Sequence, residues 1–318
     1  MLLILLAIMY GFAIGANDAA NSFGDWIGAR IGKVRTGLIL CSIFALIGAL
    51  LEGWKVSKTI GGGIIPQEYV TVEVAVAALI TAIIWVMIAS LAGLPISSTH
   101  SIIGAVTGLG IALAAPVNLV GLKRIVICWL TTPTGAFVIS FTIYSVFKLI
   151  MRTPRGKAVL FRLSRILITL TSGYVAYTWG ANDVGNAVAV VSASGLLTSF
   201  QSCLVGGLGM AAGAILLGHM VATNVGFNIT NITPLMGIAA DLATAFTIHF
   251  FTKLRMPVST SHAIVGAIMG VGVASRGFGS VNLRLIRDIV LTWVITPVLT
   301  GALAFAVFNV MKIFFGVF

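Results

Sequence analysis

The sequence repeats itself. GANDAAN at residues 15–21 returns as GANDVGN at residues 180–186, an offset of 165. PISSTHSIIGAVTGLG, starting at Pro95, returns as PVSTSHAIVGAIMGVG, starting at Pro257. WLTTP at residues 129–133 returns as WVITP at residues 293–297. Three motifs in one order, at offsets of 162 to 165, mark an internal duplication. The chain therefore folds as two copies of one unit, 1–150 and 166–318, joined by a basic cytoplasmic linker at 151–165.

What surrounds the motifs decides the solvent. Of the 318 residues, 59% are hydrophobic and 8% charged, against about 25% charged in a soluble domain. Apolar segments lie near 2–14, 36–53, 72–93, 97–115 and 124–150, with counterparts near 166–179, 196–217, 234–252, 260–274 and 287–315. A membrane-crossing helix needs roughly 20 such residues, so the chain is expected to be an all-α, multi-pass protein of the cell membrane. No basic stretch precedes the first apolar run, which reads as a transmembrane segment and not as a cleaved signal peptide. Cys41, Cys128 and Cys203 sit in apolar stretches without metal or redox spacing.

About five to six segments per unit, an odd number of crossings if five, turn the two copies opposite ways. Inverted-topology repeats are an architecture of secondary transporters, with broken or re-entrant helices meeting at a midplane site. The net charge of +11 fits that picture better than it fits nucleic acid. With the N-terminus outside, twelve of the nineteen cations fall inside, including Arg30, Lys33, Arg35 and the linker, the bias that orients membrane proteins.

Ionisable residues inside a membrane are costly and functional by default. Among only eight acids, Asp18 and Asp183 hold equivalent places in the two copies. On a helix Asp18 and Asn21 share a face, as do Asn17 and Asn21. The preceding glycine is expected to break the helix and free carbonyls. Asn17, Asp18 and Asn21, with Asn182, Asp183 and Asn186, form two oxygen-rich sites with one negative charge each. That suits a monovalent cation such as Na⁺; calcium takes more carboxylates. Glu52, Glu68 and Glu73 lie near loop ends and read as solvated.

The second motif places hydroxyls after a proline and before an apolar run, which is a helix start. Helix N-termini bind anions through free N–H groups and the positive dipole end. Ser97, Ser98 and Thr99, with Ser259, Thr260 and Ser261, offer two such starts that can clamp one tetrahedral oxyanion. The same residues also suit helix capping. His100 and His262 either donate to the anion or orient the hydroxyls. Gln201 is a further candidate ligand, with Thr36 at its first-copy position. Asn224, Asn228 and Asn231 are further amides, Thr59 standing opposite Asn224.

GANDAAN, GANDVGN, PISSTHS and PVSTSHA, in order and spanning nearly the whole chain, resemble the signatures of the inorganic phosphate transporter (PiT) family. The resemblance implies a symporter of phosphate with a coupling cation, Na⁺ in many members and H⁺ in some, and a homodimer. It implies no cofactor and no enzymatic activity. Carried over, Asp18, Asn21, Asp183 and Asn186 are cation ligands, and Ser98, Thr99, Thr260 and Ser261 hold phosphate. The linker is shorter than the cytoplasmic loop of some relatives, and GDWIGARIG after the first GAND, with Asp25 and Arg30, departs from the family's pattern. Competing readings are a sulfate carrier, a passive channel and an intramembrane aspartyl protease built on Asp18 and Asp183.

Overall fold

A computed structural model describes residues 1–94, 96–221 and 232–315. Pro95, and the amides Asn224, Asn228 and Asn231, lie outside the described residues. The first copy forms α1 (Leu2–Gly28), α2 (Val34–Glu52), α3 (Trp54–Gly63), α4 (Val72–Leu91), α5 (Ser98–Ala112) and α6 (Leu119–Ile150). The second forms α7 (Pro154–Ala193), α8 (Ser199–Leu217), α9 (Pro234–Lys253), α10 (Thr260–Arg276) and α11 (Leu283–Phe315). No strand occurs among the described residues. Eight of these helices are long and apolar enough to cross a membrane. The exceptions are α3 and the two hydroxyl-led helices. α5 has 15 residues and α10 has 17, about 22–26 Å at 1.5 Å per residue, short of a hydrocarbon core of roughly 30 Å. Both are buried on nearly every side, so they are inserted arms that start inside the protein.

The direction of the repeats follows from the packing. α1 and α2 are antiparallel: Ala19 meets Cys41, and Trp26 covers Gly37. α2 and α3 run parallel to α7, with Phe44 on Gly173, Gly48 on Tyr177, Gly53 on Val184 and Gly61 on Ala189. Hence α1 and α7, the equivalent helices of the two copies, point opposite ways, and the repeat is inverted.

The GAND helices are not broken, contrary to expectation. α1 and α7 run straight through the motifs, and the glycines serve close approach instead. A methyl on Gly15 would strike the Met210 carbonyl, and one on Gly180 the Ala45 carbonyl. Gly48 against Tyr177 and Gly213 against Phe12 repeat the pattern. Small residues let backbones touch where lipid gives helices no hydrophobic reason to associate. In the same way Gly104 abuts Pro297, and Gly266 abuts Pro133. Each copy thus packs mainly on the other: α1 on α8 and α2 on α7 in one bundle, α5 on α11 and α6 on α10 in a second. The two sequence halves therefore interlock and do not stand as separate bodies.

The residues expected as a linker mostly form the first turns of α7, which begins at Pro154 with Thr153 as its cap. At that face Lys148 Nζ donates to Ala274 O at 2.9 Å, so the ends of α6 and α10 and the start of α7 lie together. At the opposite face Arg255 and Lys58 lie over the Trp54 ring.

Candidate transport site

The two GAND motifs and the starts of α5 and α10 meet in the interior, and nearly every contact has a twin. Asn17 Nδ2 donates to Ser90 Oγ and Leu94 O, both at 3.0 Å, and its Oδ1 accepts from Ile96 N at 3.2 Å. Asn182 Nδ2 donates to Thr252 Oγ1 at 2.8 Å and Met256 O at 3.2 Å, and its Oδ1 accepts from Val258 N at 3.2 Å. These amides staple the turns that lead into α5 and α10. Asn17 and Asn182, expected beside a cation, are seen here supporting the hydroxyl motifs.

The acids hold the hydroxyls. Ser98 Oγ donates to Asp18 Oδ2 at 2.8 Å, and Thr260 Oγ1 donates to Asp183 Oδ2 at 3.0 Å. Asn21 Nδ2 donates to Ser261 Oγ at 3.0 Å, and Asn186 Nδ2 to Thr99 Oγ1 at 2.9 Å. Those two hydroxyls donate onward across the axis, Ser261 to Ile96 O at 3.0 Å and Thr99 to Val258 O at 3.1 Å. Each arm thus touches the acid of its own copy and the asparagine of the other. Asp18, Asn21, Asp183, Asn186 and all four hydroxyl residues are buried. Asn21 Oδ1 and Asn186 Oδ1 are buried without a hydrogen-bond partner, a matched pair of oxygens of the type that hard cations take.

The other candidates fall elsewhere. Ser97 and Ser259 are N-caps: their Oγ atoms accept from His100 N at 3.2 Å and His262 N at 3.4 Å, so they close the helix ends. His100 Nδ1 lies 2.9 Å from Trp293 O, and His262 Nδ1 lies 3.0 Å from Trp129 O. A carbonyl only accepts, which assigns the hydrogen of a neutral ring to Nδ1 and leaves Nε2 an acceptor. Each ring also stacks on a tryptophan at 3.7 Å, His100 on Trp129 and His262 on Trp293. The histidines join the two repeats and, as neutral rings, have no donor to offer an anion. This gives the WLTTP and WVITP motifs their purpose, which their spacing alone did not disclose. Gln201 is corrected: it is exposed, and its Oε1 accepts from Thr198 N at 3.0 Å in a capping box that starts α8.

Two clusters escaped the sequence reading. Glu52 is buried, not solvated; it is bound by Lys253 at 2.7 Å, Lys55 at 2.8 Å, Tyr177 at 3.0 Å and His249 at 3.2 Å. Asp241 accepts from Thr171 and Ser172 on α7, close to Asp25 of α1. Departure from twofold symmetry is the signal that finds both. Leu217 stands at the position equivalent to Glu52, and Leu79 at that of Asp241.

Eight candidate spans, an inverted repeat and a buried polar centre made from both copies define a multi-pass membrane transporter, not an enzyme. Residues 14–304 match the phosphate transporter family, and the chain belongs to it. A Bacillus subtilis protein named as a low-affinity inorganic phosphate transporter is 32% identical, over 98% of this chain and 97% of its own length. A Pyrococcus abyssi protein named as a phosphate permease is 30% identical, over 98% of each. A solved structure of a sodium-dependent phosphate transporter superposes with a TM-score of 0.85 at 30% identity, again covering 98% of each chain.

Proposed function

We propose that this chain is a Na⁺-coupled symporter of inorganic phosphate that works by alternating access. The observation that carries the reading is the direct hold of Asp18 on Ser98 and of Asp183 on Thr260. While a bare carboxylate takes the hydroxyl hydrogen, that hydroxyl is withheld from an anion and the negative charge repels one. A cation bound by Asp18 and Asn21, or by Asp183 and Asn186, neutralises the acid and frees the hydroxyl. Ser98, Thr99, Thr260 and Ser261 then turn with two helix N-termini toward phosphate. Each ligand improves the site for the other, which is the thermodynamic content of coupling.

The unpartnered amide oxygens of Asn21 and Asn186 support the cation half of this reading. The acids beside the hydroxyls favour an oxyanion that still carries a proton: phosphate can donate a hydrogen bond to a carboxylate at neutral pH, and sulfate cannot. The interlocked bundles suggest that motion occurs between the α1–α2–α7–α8 set and the α5–α6–α10–α11 set. Homodimerisation belongs to the same reading and is checked by the mass of the protein in nanodiscs.

The test is radiolabelled phosphate uptake into proteoliposomes with an imposed Na⁺ gradient, an imposed H⁺ gradient, or neither. Concentrative uptake driven by Na⁺ is expected. Uptake driven by H⁺ alone would replace the coupling ion, and failure with either gradient would redirect the reading to sulfate.

A further inference from the structure

We propose that this protein binds an anionic phospholipid, with one acyl chain in a groove between α5, α6 and α11 and the headgroup phosphate on Lys123 and Lys312. The groove measures about 640 Å³, inside the roughly 300–1,000 Å³ range of ligand pockets. Thr107 and Ile111 of α5, Val126 and Trp129 of α6, and Gly301 and Phe305 of α11 line it. Thr107 turns its hydroxyl back on Ile103 O at 2.7 Å, so it presents its methyl group as wall. The floor is backbone: a methyl on Gly104 would strike the Pro297 carbonyl, and one on Gly108 the Gly301 carbonyl. Those contacts run α5 and α11 parallel, so Ile111, Phe305 and the start of α6 share one end of the groove.

The inverted repeat supplies a built-in control. Phe137 and Met269 stand at the places equivalent to Gly301 and Thr107. There a methyl on Gly270 would strike the Phe137 carbonyl, and the Phe137 ring stacks on Phe141 at 6.3 Å. The cations differ in the same sense. Arg287, the counterpart of Lys123, is held by Asp288 at 2.7 Å. Lys148, the counterpart of Lys312, donates to Ala274 O at 2.9 Å. Beside the open groove Arg124 replaces Asp288, and neither Lys123 nor Lys312 has an ion-pair partner among the described residues. The copy that lacks the phenylalanine is the one whose cations are left free.

Both lysines are exposed and stand at the groove's end. Lys123 follows Leu122, which lines the groove, and precedes Val126 by about one turn. Lys312 follows Phe305 by about two turns on the same helix face. Basic side chains at a membrane surface draw anionic headgroups. α6 runs from this end to Lys148, near Arg152, Arg155 and Lys157, the face that the positive-inside bias makes cytoplasmic. The groove therefore lies in the outer half of the bilayer. From Ile103 to Ile111 it extends about 12 Å at 1.5 Å per residue, within one leaflet of a roughly 30 Å core. A second copy seated there by a twofold axis would set the same cations against each other, whereas a phosphate brings the missing negative charge. Trp129 also stacks on His100, so the acyl chain lies behind the arm that begins at Ser98.

Native mass spectrometry of the full chain, purified in mild detergent, tests this with palmitoyl-oleoyl phosphatidylglycerol and phosphatidylcholine as probes. One phosphatidylglycerol per chain is expected, retained about 10-fold or more over phosphatidylcholine, from about fivefold per lysine. The Lys123→Gln, Lys312→Gln double variant changes exposed residues only and should erase that preference with the fold intact. Gly301→Phe, which copies Phe137, should abolish lipid retention. Thr107→Met, a milder filling of the groove, should weaken retention several-fold with an unchanged size-exclusion profile. Equal retention of the two lipids by the wild type would overturn the proposal, as would a preference that survives the lysine double variant. Retention that survives both groove fillings would also overturn it, and a change from dimer to monomer in Gly301→Phe with the lipid still held would make the groove an interface between copies. Neither Na⁺ nor free phosphate enters the measurement, so its outcome is independent of the coupling reading.

Discussion

At the centre, Asn17 and Asn182 hold matching turns, Asp18 and Asp183 hold matching hydroxyls, and His100 and His262 reach matching carbonyls. Toward the membrane faces the matching stops. Glu52 ties α2 to Lys253 and His249 of α9 and to Tyr177 of α7, whereas the equivalents of these four residues are Leu217, Leu91, Met87 and Phe12. One small cargo held between two inverted copies needs the same chemistry from each, so the centre keeps its duplicate. The faces meet different solutions, and there the copies have diverged.

Substitutions can break that contrast or sharpen it. The largest effect is expected for Gly180→Val, which drives a side chain into the Ala45 carbonyl; overpacking of about 3 kcal/mol or more should remove the monodisperse peak in size-exclusion chromatography. Gly15→Val, against Met210, should match it.

Next come Asp18→Asn and Asp183→Asn. Each removes a charge that orders a hydroxyl, an interaction worth roughly 1.5–3 kcal/mol, so uptake should fall about 10- to 100-fold, with Na⁺ dependence weakened in both. A loss confined to one acid would show that the centre is symmetric in geometry alone. Ser98→Ala and Thr260→Ala should then raise the KM for phosphate by about 5- to 10-fold each, from roughly 1–1.4 kcal/mol per hydrogen bond, read from initial uptake rates. The smallest effect is expected for Glu52→Gln. The weakened links to Lys55 and Lys253 should lower the Tm by a few degrees, in line with about 1–2 kcal/mol, while Leu217→Gln at the equivalent place leaves those links intact.

Much of the molecule was legible because duplication repeats its own signal. Helix positions followed from apolar runs near the observed ranges, and the paired acids and hydroxyls converge as the motifs suggested. What escaped depended on neighbours distant in sequence. Glu52 looked like a helix-end carboxylate, since nothing near it in the chain reveals Lys253 or His249. Gln201 looked like a buried amide because its surroundings are apolar, yet it caps a helix at the surface. Gly15 suggested a break by its own flexibility, when its role is set by Met210, nearly two hundred residues away. The tryptophan motifs repeated plainly, but their use of the backbone carbonyl carries no trace in side-chain chemistry.

The glycine contacts between α1 and α8, and between α2 and α7, also bear on how the protein is made. When the ribosome has released the first 150 residues, α1 and α2 have met each other but not the helices that fill their glycine-lined grooves. The early half must wait in the bilayer, its acid and asparagines facing lipid or water, until the late half arrives and threads into place. Contacts this distant in sequence form late and slowly. Chains cut short after the first copy would carry every motif of one site and still lack a stable partner surface, leaving them substrates for membrane quality control and not half-active carriers.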